Sequence, residues 1–287
     1  GVIDVTNLYI IQQHDASTSS LVPATYDSAN VAFYADNIHN VGWTPLSGTY
    51  TFTGNVTFKG SSSTGTFTVN NSTNNPNFIF KGNITFTNGT GTLNWTKGTG
   101  TITAGGTSTQ SLNFLGKTVE DINITNTSAD VSITNDVTCD SLSASDNASI
   151  KVTAGKTITT DDISGIGGSS GNLVTLRSVT DASQWYLNVS GTPIVSYVDV
   201  KDSNASGGSE IIAIDGTSTD SGNNVNWLFS GITITGTIYT DEAVTPLDCT
   251  TPRTVALSVN GATPKTTTCS NTPSNGSFVI YIDTPTS

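Results

Sequence analysis

The chain has 287 residues, and Thr, Ser, Asn and Gly together supply about half of them. Charged residues make up 11% and hydrophobic residues 34%, and 10 basic against 22 acidic side chains give a formal net charge of −12. Long helical and membrane-spanning proteins are excluded, because no apolar run approaches the ~20 residues of a spanning helix. The acidic balance argues against nucleic acid and anionic membranes as partners. β-branched and aromatic residues throughout argue against disorder, so the composition predicts a folded, all-β, extracellular protein.

Residues 1–48 differ from the rest of the chain. Gly1–Gln13 alternates apolar and polar residues imperfectly, which predicts a strand whose second half is buried on both faces. The polar stretch Gln12–Ser20 follows and has the composition of a linker. We therefore predict an N-terminal strand and a cap or linker over residues 1–48. Because the chain begins with Gly and contains no Met, we expect a processed product.

From Gly48 to about Gly171 the sequence repeats short units. GNVTF at 54–58 returns as GNITF at 82–86, an offset of 28 residues. Units of alternating Thr with Val, Ile or Phe, separated by turn residues, indicate many short strands. Both an antiparallel sandwich and a parallel β-solenoid fit this pattern. Asn-Gly hairpin dipeptides are few, and stacked turns about 4.8 Å apart would place Thr over Thr and Asn over Asn. We therefore favour a solenoid over residues 49–229.

Further runs in this region carry a family resemblance. GGTSTQSLNF at 105–114, VEDINITN at 119–126 and VSITNDVTCDSL at 131–142 are followed by QWYLNVSG at 184–191 and VSYVDV at 195–200. These runs resemble the repeats of bacterial secreted and cell-surface parallel β-helix proteins, and the resemblance covers roughly residues 50–230. It implies an all-β, right-handed parallel β-helix. It carries little about activity, since such helices serve adhesins, fibres and polysaccharide enzymes alike.

Residues 230–287 have the pattern of a separate small β module. Alternating apolar residues predict strands around 232–238, 255–259, 265–269 and 278–282. The run GTIYTDE at 236–242 resembles bacterial immunoglobulin-like or carboxypeptidase-regulatory-like repeats of surface proteins. That resemblance implies a small C-terminal immunoglobulin-like β-sandwich. A complete sandwich of this kind takes about 100 residues and seven strands, so we expect this module to be short of strands.

A sandwich that lacks a strand exposes sheet edges that proteins normally protect. We expect a neighbouring copy to donate its N-terminal strand, as in donor-strand complementation. A donor at one end and an acceptor at the other form a heterologous contact that propagates as a filament. The alternative is that the N-terminal strand caps its own β-helix. The predicted donor side chains are Val2, Ile3, Val5, Leu8, Tyr9, Ile10 and Ile11, and the predicted acceptor side chains are Ile232, Ile234, Ile238, Val255, Leu257, Val259, Phe278, Ile280 and Ile282.

Cysteines and sequons bear on compartment. Cys249 and Cys269 could form a disulfide that closes a modest loop, which favours an extracellular location. Cys139 lies in a strand-like stretch and is expected to be a buried thiol. Asn-x-Ser/Thr sequons are candidates for glycosylation, and they occur at Asn55, Asn70, Asn71, Asn83, Asn88, Asn94, Asn123, Asn126, Asn147, Asn188, Asn204 and Asn275.

Support for catalysis and metal binding is thin. Asp199 and Asp202 resemble the carboxylate pair of a polysaccharide lyase only by residue type and spacing. The sequence pattern indicates no Ser-His-acid triad. The loop Asp215–Asp220 supplies oxygen ligands but lacks the glycine and distal glutamate of an EF-hand. Trp95, Trp185 and Trp227 are expected in the core, with a sugar-binding platform as the alternative. We therefore expect no enzyme activity, no cofactor and no metal site.

These patterns together predict a secreted structural subunit that polymerises head to tail with like subunits. The alternative is a cell-surface adhesin or carbohydrate-binding β-helix protein, and a polysaccharide lyase or hydrolase ranks below it. A carbohydrate is accordingly the second candidate partner after like subunits, whereas nucleic acid and membrane insertion are not expected.

Overall fold

The computed structural model describes residues 2–4, 7–12, 21–35, 40–191, 193–241, 244–259 and 263–283, with the backbone alone for 2–4, 7–12 and 283. All the regular secondary structure in these ranges is β-strand. The chain divides into a solenoid unit, Gly1–Ala213 with Thr217–Trp227, and a C-terminal unit, Ile214–Gly216 with Leu228–Ser287. The solenoid unit confirms the predicted parallel β-solenoid, because its strands stack into long parallel sheets.

Two ten-stranded parallel sheets form the main walls of the solenoid. Sheet 1 contains, in spatial order, β1 (Val2–Asp4), β3 (Thr25–Asp27), β6 (Thr49–Phe52), β9 (Asn77–Phe80), β12 (Thr101–Ala104), β14 (Asp121–Ile124), β16 (Val137–Ala144), β18 (Thr157–Asp162), β20 (Trp185–Val189) and β22 (Ser203–Asn204). Sheet 2 contains β2 (Asn7–Gln12), β4 (Asn30–Ala35), β7 (Asn55–Lys59), β10 (Ile84–Thr87), β13 (Gln110–Asn113), β15 (Val131–Ile133), β17 (Ser149–Val152), β19 (Val174–Ser178), β21 (Val198–Val200) and β24 (Thr219–Asp220).

A third wall exists only in the early turns. It is a three-stranded parallel sheet of β5 (Val41–Trp43), β8 (Thr66–Asn70) and β11 (Thr92–Thr96). One turn takes 28 residues from Tyr50 to its neighbour Phe78, but 20 residues from Ile102 to its neighbour Ile122. The solenoid therefore narrows once the third wall ends. Two further short strands are β23 (Ile211–Ile212) and β25 (Trp227–Leu228).

The interior follows from the alternation that defined the sequence units. In the GNVTF and GNITF repeats, Val56 lies beside Ile84 and Phe58 beside Phe86, and all four side chains are buried. Outward positions in the same strands are polar, because successive side chains of a strand point to opposite faces. The wide early turns are filled by stacked aromatic rings, such as Phe33 on Phe58 with centroids 4.7 Å apart.

The glycines that open these two repeats have a steric reason. A Cβ at Gly82 would lie 2.4 Å from the carbonyl carbon of Gly54 and 2.7 Å from the Asn55 nitrogen. Successive turns approach so closely at this corner that only glycine fits. The offset of 28 residues in the sequence is thus the length of one turn.

For residues 1–48 the sequence predicts an N-terminal strand and a cap or linker, and the linker Gln12–Ser20 lies, after Gln12, outside the described residues. β1 to β5 pair in parallel with the strands of the following turns, so the described strands of this region are part of the solenoid. The side chain of Tyr26 is buried, and its ring stacks on Phe52 with centroids 5.3 Å apart. This region has few of the Gly-Thr units that marked the later turns, although the inward packing is the same.

The C-terminal unit contains the four predicted strands. They are β26 (Gly231–Thr237), β27 (Thr254–Leu257), β28 (Lys265–Thr268) and β29 (Ser277–Asp283). β26 pairs antiparallel with β29, and β27 pairs antiparallel with β28. The structure thus has small antiparallel sheets here, and the immunoglobulin-like sandwich stays a prediction.

Candidate functional site

The predicted donor segment is paired within its own chain. β2 lies parallel to β4 from Asn7 beside Asn30 to Gln12 beside Ala35, and β1 lies parallel to β3. This is the arrangement that the self-capping alternative describes. Val5 lies outside the described residues, and for Val2, Ile3, Leu8, Tyr9, Ile10 and Ile11 the structure describes the backbone alone. Donation to another copy stays a prediction, and it requires this pairing to be exchanged.

The predicted acceptor side chains are unevenly covered. Ile280 and Ile282 on β29 are 3% and 8% exposed, but Ile232, directly across from Ile282, is 50% exposed. Val259 is 37% exposed. The remaining predicted acceptor side chains are half-buried, namely Ile234, Ile238, Val255, Leu257 and Phe278. The C-terminal unit therefore has an apolar face that its own strands cover only in part.

The edges of this unit are also open. Among the described residues, β26 pairs with β29 alone and β27 pairs with β28 alone. An isolated antiparallel bridge between Ser270 and Ser277 connects the end of β28 to the start of β29. Within the described part of the unit, the outer edges of β26 and β27 therefore pair with no further strand, which is the condition for strand addition from another chain.

The Cys249–Cys269 disulfide that the sequence favours is present in the C-terminal unit. Beside it, Asp248 accepts hydrogen bonds from the Thr250 hydroxyl (2.5 Å) and the Asn271 amide (2.7 Å), and these bonds lower its pKa to about 2. A structural disulfide indicates an oxidising, non-cytoplasmic environment. Among the described residues, no helix is long and apolar enough to cross a bilayer.

Cys139 is buried, as expected, at 2% exposure. Burial is the main cause that raises the pKa of its thiol to about 11. Burial and the raised pKa both disfavour the thiolate, which is the reactive form, and the side chain packs in the solenoid core.

The acidic residues considered for catalysis are engaged in structural contacts. Asp199 forms an ion pair with Arg177 on the outer face of sheet 2. Asp202 is 1% exposed, and its carboxylate accepts hydrogen bonds from the Ala182 nitrogen (3.1 Å) and the Asn223 amide (2.6 Å). The two carboxylates therefore do not form a pair facing one groove. Among the described residues, no group of three His, Cys, Asp or Glu side chains could hold a metal ion.

A buried polar cluster that the sequence did not indicate lies where the third wall ends. Glu120 is 1% exposed and accepts hydrogen bonds from the Asn71 amide (2.7 Å), the Gly98 nitrogen (2.9 Å) and the Trp95 indole nitrogen (2.9 Å). These donors belong to two earlier turns, so one side chain connects three turns. Only the rarity of Glu in this chain could have drawn attention to it.

Two of the glycosylation candidates, Asn71 and Asn126, are buried in this fold. Asn71 is fully buried and donates its amide to Glu120. Asn126 is also fully buried and donates its amide to the Ser108 carbonyl (2.8 Å) and to Gln110 (3.1 Å). A glycan replaces an amide hydrogen and needs space outside the protein, so neither residue can carry one in this fold. The other candidates are exposed or half-buried, namely Asn55, Asn70, Asn83, Asn88, Asn94, Asn123, Asn147, Asn188, Asn204 and Asn275.

The tryptophans considered as a sugar platform point elsewhere. Trp95 and Trp185 are buried at 7% and 1% exposure, and Trp227 is half-buried with its indole nitrogen 3.0 Å from the Ser203 hydroxyl. Among the described aromatic residues of the solenoid unit, Tyr186 alone is exposed, at 38%. It lies on the outer face of β20.

Comparison of the chain with known protein families, with curated proteins and with solved structures found no match. Of the resemblance stated from the sequence, the parallel β-solenoid fold is the part that the structure supports.

Proposed function

We propose that the chain is a structural, non-enzymatic subunit of an extracellular fibre, in which the solenoid is a rod and the C-terminal unit joins it to a like subunit. The observation that carries this proposal is the partly covered apolar face of the C-terminal unit beside the open edge of β26. Ile232, near the start of that strand, is half exposed although its cross-strand neighbour Ile282 is buried.

Strand addition at β26 would pair the open edge of that strand and cover the exposed apolar face at the same time. An added strand pairs with the unpaired backbone groups of β26, and its side chains extend the apolar face over Ile232. In this proposal the C-terminal unit is an immunoglobulin-like sandwich that is completed between copies. The added strand comes from another subunit, because each described strand of the same unit is already paired within that unit.

The donor proposed is Gly1–Gln13 of the neighbouring copy. Since β2 is paired with β4 in the single chain, donation is an exchange in which the first turn opens and the segment moves to the next subunit. A contact between unlike ends of identical subunits grows as a filament and does not close. The exchange is favourable only if the strand pairing formed at β26 is more stable than the pairing that is lost at β4.

The solenoid surface suits an external rod. Its described cations are few, and five of them lie in ion pairs: Lys97–Asp140, Lys151–Asp130, Lys156–Asp136, Arg177–Asp199 and Lys201–Asp181. The disulfide adds resistance to unfolding in the C-terminal unit. A surface of Thr, Asn and Ser with paired charges offers few trypsin sites and little attraction to polyanions.

Negative-stain electron microscopy and size-exclusion chromatography test the proposal. The full chain is expected to form fibres, and Ile232→Glu is expected to leave monomers, because a charge at this position opposes burial under an added strand. Val244→Glu is the matched control, since Val244 is 77% exposed in the same unit but lies outside the strands.

Deleting Gly1–Gln13 tests the donor separately. Monomers from the deletion, with fibres from Val244→Glu, support donation. Fibres from the deletion refute this donor while leaving assembly through the C-terminal unit intact. Monomers from the full chain at high concentration, or fibres from Ile232→Glu, refute the proposed function.

A further inference from the structure

The outer face of sheet 1 carries one aromatic side chain beside a sequon whose asparagine forms no hydrogen bond with the described residues, while its serine, Ser190, donates one to Asp161 (2.9 Å). On β20, Tyr186 and Asn188 both point outward, and they belong to the run Tyr186–Ser190, in which Asn188 begins the sequon. Residues two apart on a strand share a face at about 6.6 Å. The aromatic ring therefore lies next to the amide that a glycosyltransferase would modify.

The neighbouring strand extends this surface with hydroxyl groups. Thr157 of β18 lies beside Tyr186, and Thr159 lies beside Asn188. Strands in a sheet are about 4.8 Å apart, so the ring, the amide and two hydroxyls form one patch, and the Asp161 carboxylate lies two residues beyond Thr159 on the same face. We call these residues, Thr157, Thr159, Tyr186 and Asn188, the Tyr186 patch.

The Asn188 amide differs from the other amides on this face. Asn123 accepts a hydrogen bond from the Ser143 hydroxyl (3.2 Å), and Asn77 accepts one from the Thr101 nitrogen (3.0 Å). In the described part of the chain, neither the Asn188 amide nor the Tyr186 hydroxyl forms a hydrogen bond with another residue.

The next turn leaves room for this amide. A Cβ at Gly207 would lie 2.2 Å from the Asn188 Oδ1 and 2.9 Å from its Nδ2. Any other residue at this position would crowd the amide, so glycine keeps the side chain of Asn188 in place on the outer face. This side chain is half-buried, and its strand lies between β18 and the edge strand β22 of sheet 1, so a substituent on the outward amide extends away from the solenoid.

We propose that Asn188 carries an N-linked glycan whose first sugar packs on the Tyr186 ring, with the hydroxyls of Thr157 and Thr159 at its edge. A pyranose ring presents axial C–H groups on one face, and such a face packs against an aromatic ring, while its hydroxyls need polar neighbours. A glycosyltransferase of the secreting host transfers the sugar from an activated, phosphate-linked donor: the bond from Asn188 Nδ2 to the anomeric carbon forms, the bond from that carbon to the donor phosphate oxygen breaks, the phosphate leaves, and the amide proton passes to a base of the transferase. The non-cytoplasmic environment that the disulfide indicates is where such modification takes place.

Asn94 provides a matched control. It is an exposed sequon asparagine on the outer face of β11, with Thr92 where β20 has Tyr186. The two sites share strand geometry and an outward amide but differ in the aromatic neighbour. The proposal does not depend on fibre formation, so each can fail without the other.

The test uses the full chain secreted from a glycosylating eukaryotic host, with the same chain from a non-glycosylating host as the unmodified reference. Peptide mass spectrometry measures occupancy at Asn188, and thermal unfolding is followed by tryptophan fluorescence. We expect Asn188 to be occupied, and we expect Asn188→Gln to lower the melting temperature of the glycosylated protein by about 2–4 °C, the shift of a single side-chain contact in a domain of this size.

The tyrosine is tested in the same preparation. Tyr186→Ala is expected to abolish the loss of melting temperature that Asn188→Gln causes in the glycosylated protein, whereas Asn94→Gln leaves the melting temperature unchanged. Circular dichroism of the Tyr186→Ala protein from the non-glycosylating host checks that the fold is retained. An unoccupied Asn188 overturns the proposal, and so does a loss on Asn188→Gln that is undiminished in the Tyr186→Ala protein.

Discussion

Removing the Glu120 carboxylate tests how far one buried side chain holds the narrowing region together. Glu120→Ala leaves the Asn71 amide, the Gly98 nitrogen and the Trp95 indole nitrogen without their acceptor, at the distances of 2.7–2.9 Å now observed. Each unsatisfied buried donor costs about 1–3 kcal/mol. Water that enters the space left by the side chain offsets part of this cost, so we expect a loss of about 3–5 kcal/mol.

Glu120→Gln separates the charge from the volume. The glutamine fills the same space but replaces one carboxylate oxygen with an NH₂ group, which then faces either the Trp95 indole N–H or the donors on Asn71 and Gly98. The orientation that gives up only the indole contact is the less costly one. We therefore expect a loss of about 1–3 kcal/mol, smaller than that of the alanine variant.

Urea denaturation followed by tryptophan fluorescence measures both variants, because all four tryptophans lie in the solenoid unit. Thr118→Ala, an exposed change in the same loop, is the control and should stay within about 0.5 kcal/mol. If Glu120→Ala unfolds at the same midpoint as this control, the three hydrogen bonds do not stabilise the solenoid and the reasoning is wrong.

Three further predictions concern other parts of the chain. Replacing Cys249 and Cys269 with Ser should lower the stability of the C-terminal unit by about 3 kcal/mol, the chain-entropy value for a loop of this length; calorimetry should show its transition shift, and an unshifted transition would contradict the constraint assigned to the disulfide. Gly82→Ala should destabilise the solenoid by at least about 2 kcal/mol in urea denaturation, because its Cβ would lie 2.4 Å from the Gly54 carbonyl carbon; a variant as stable as the parent would mean that the corner relaxes freely. Hydrogen bonds from Lys151 and Ser149 lower the pKa of Asp130, so their contribution is present above the carboxyl's unfolded pKa and is lost as the pH falls through the folded one. Lys151→Ala should therefore cost under about 1 kcal/mol at pH 7, since both side chains are 38% exposed and the pair is screened by solvent, and nothing at pH 2; an equal cost at both pH values would show that the loss is one of packing.

The solenoid could be predicted because its signal is local and repeated. Alternation of Thr with Val, Ile or Phe sets which side chains point inward, and glycines at 54 and 82 mark the same corner one turn apart. The four strands of the C-terminal unit were predicted for the same reason, since Ile232 and Ile234 alternate with Thr. An alternation with a period of two residues can be detected in the sequence of one strand without knowing which strand pairs with it.

Pairing partners and burial of polar residues could not be predicted in this way. The sequence of Gly1–Gln13 is compatible with a strand in its own solenoid or in a neighbour, and the contact with β4 depends on where the chain returns after residue 20. Asn71 and Asn188 are both sequon asparagines, but one amide is buried against Glu120 and the other lies on the outer face beside Tyr186. Both residues begin an Asn-x-Ser/Thr motif, and that motif does not indicate whether the asparagine side chain is buried or exposed.

Alternating side chains and close-packed glycines therefore determine from the sequence that the chain is a β-solenoid, because each strand records its own inward and outward faces. Only the tertiary structure decides that the described strands before residue 49 belong to the solenoid, that Glu120 connects three turns, and which sequons face solvent. Those properties arise from residues about 20–50 positions apart that meet when the turns stack, and the length of each turn, which varies from one to the next, sets which residues meet.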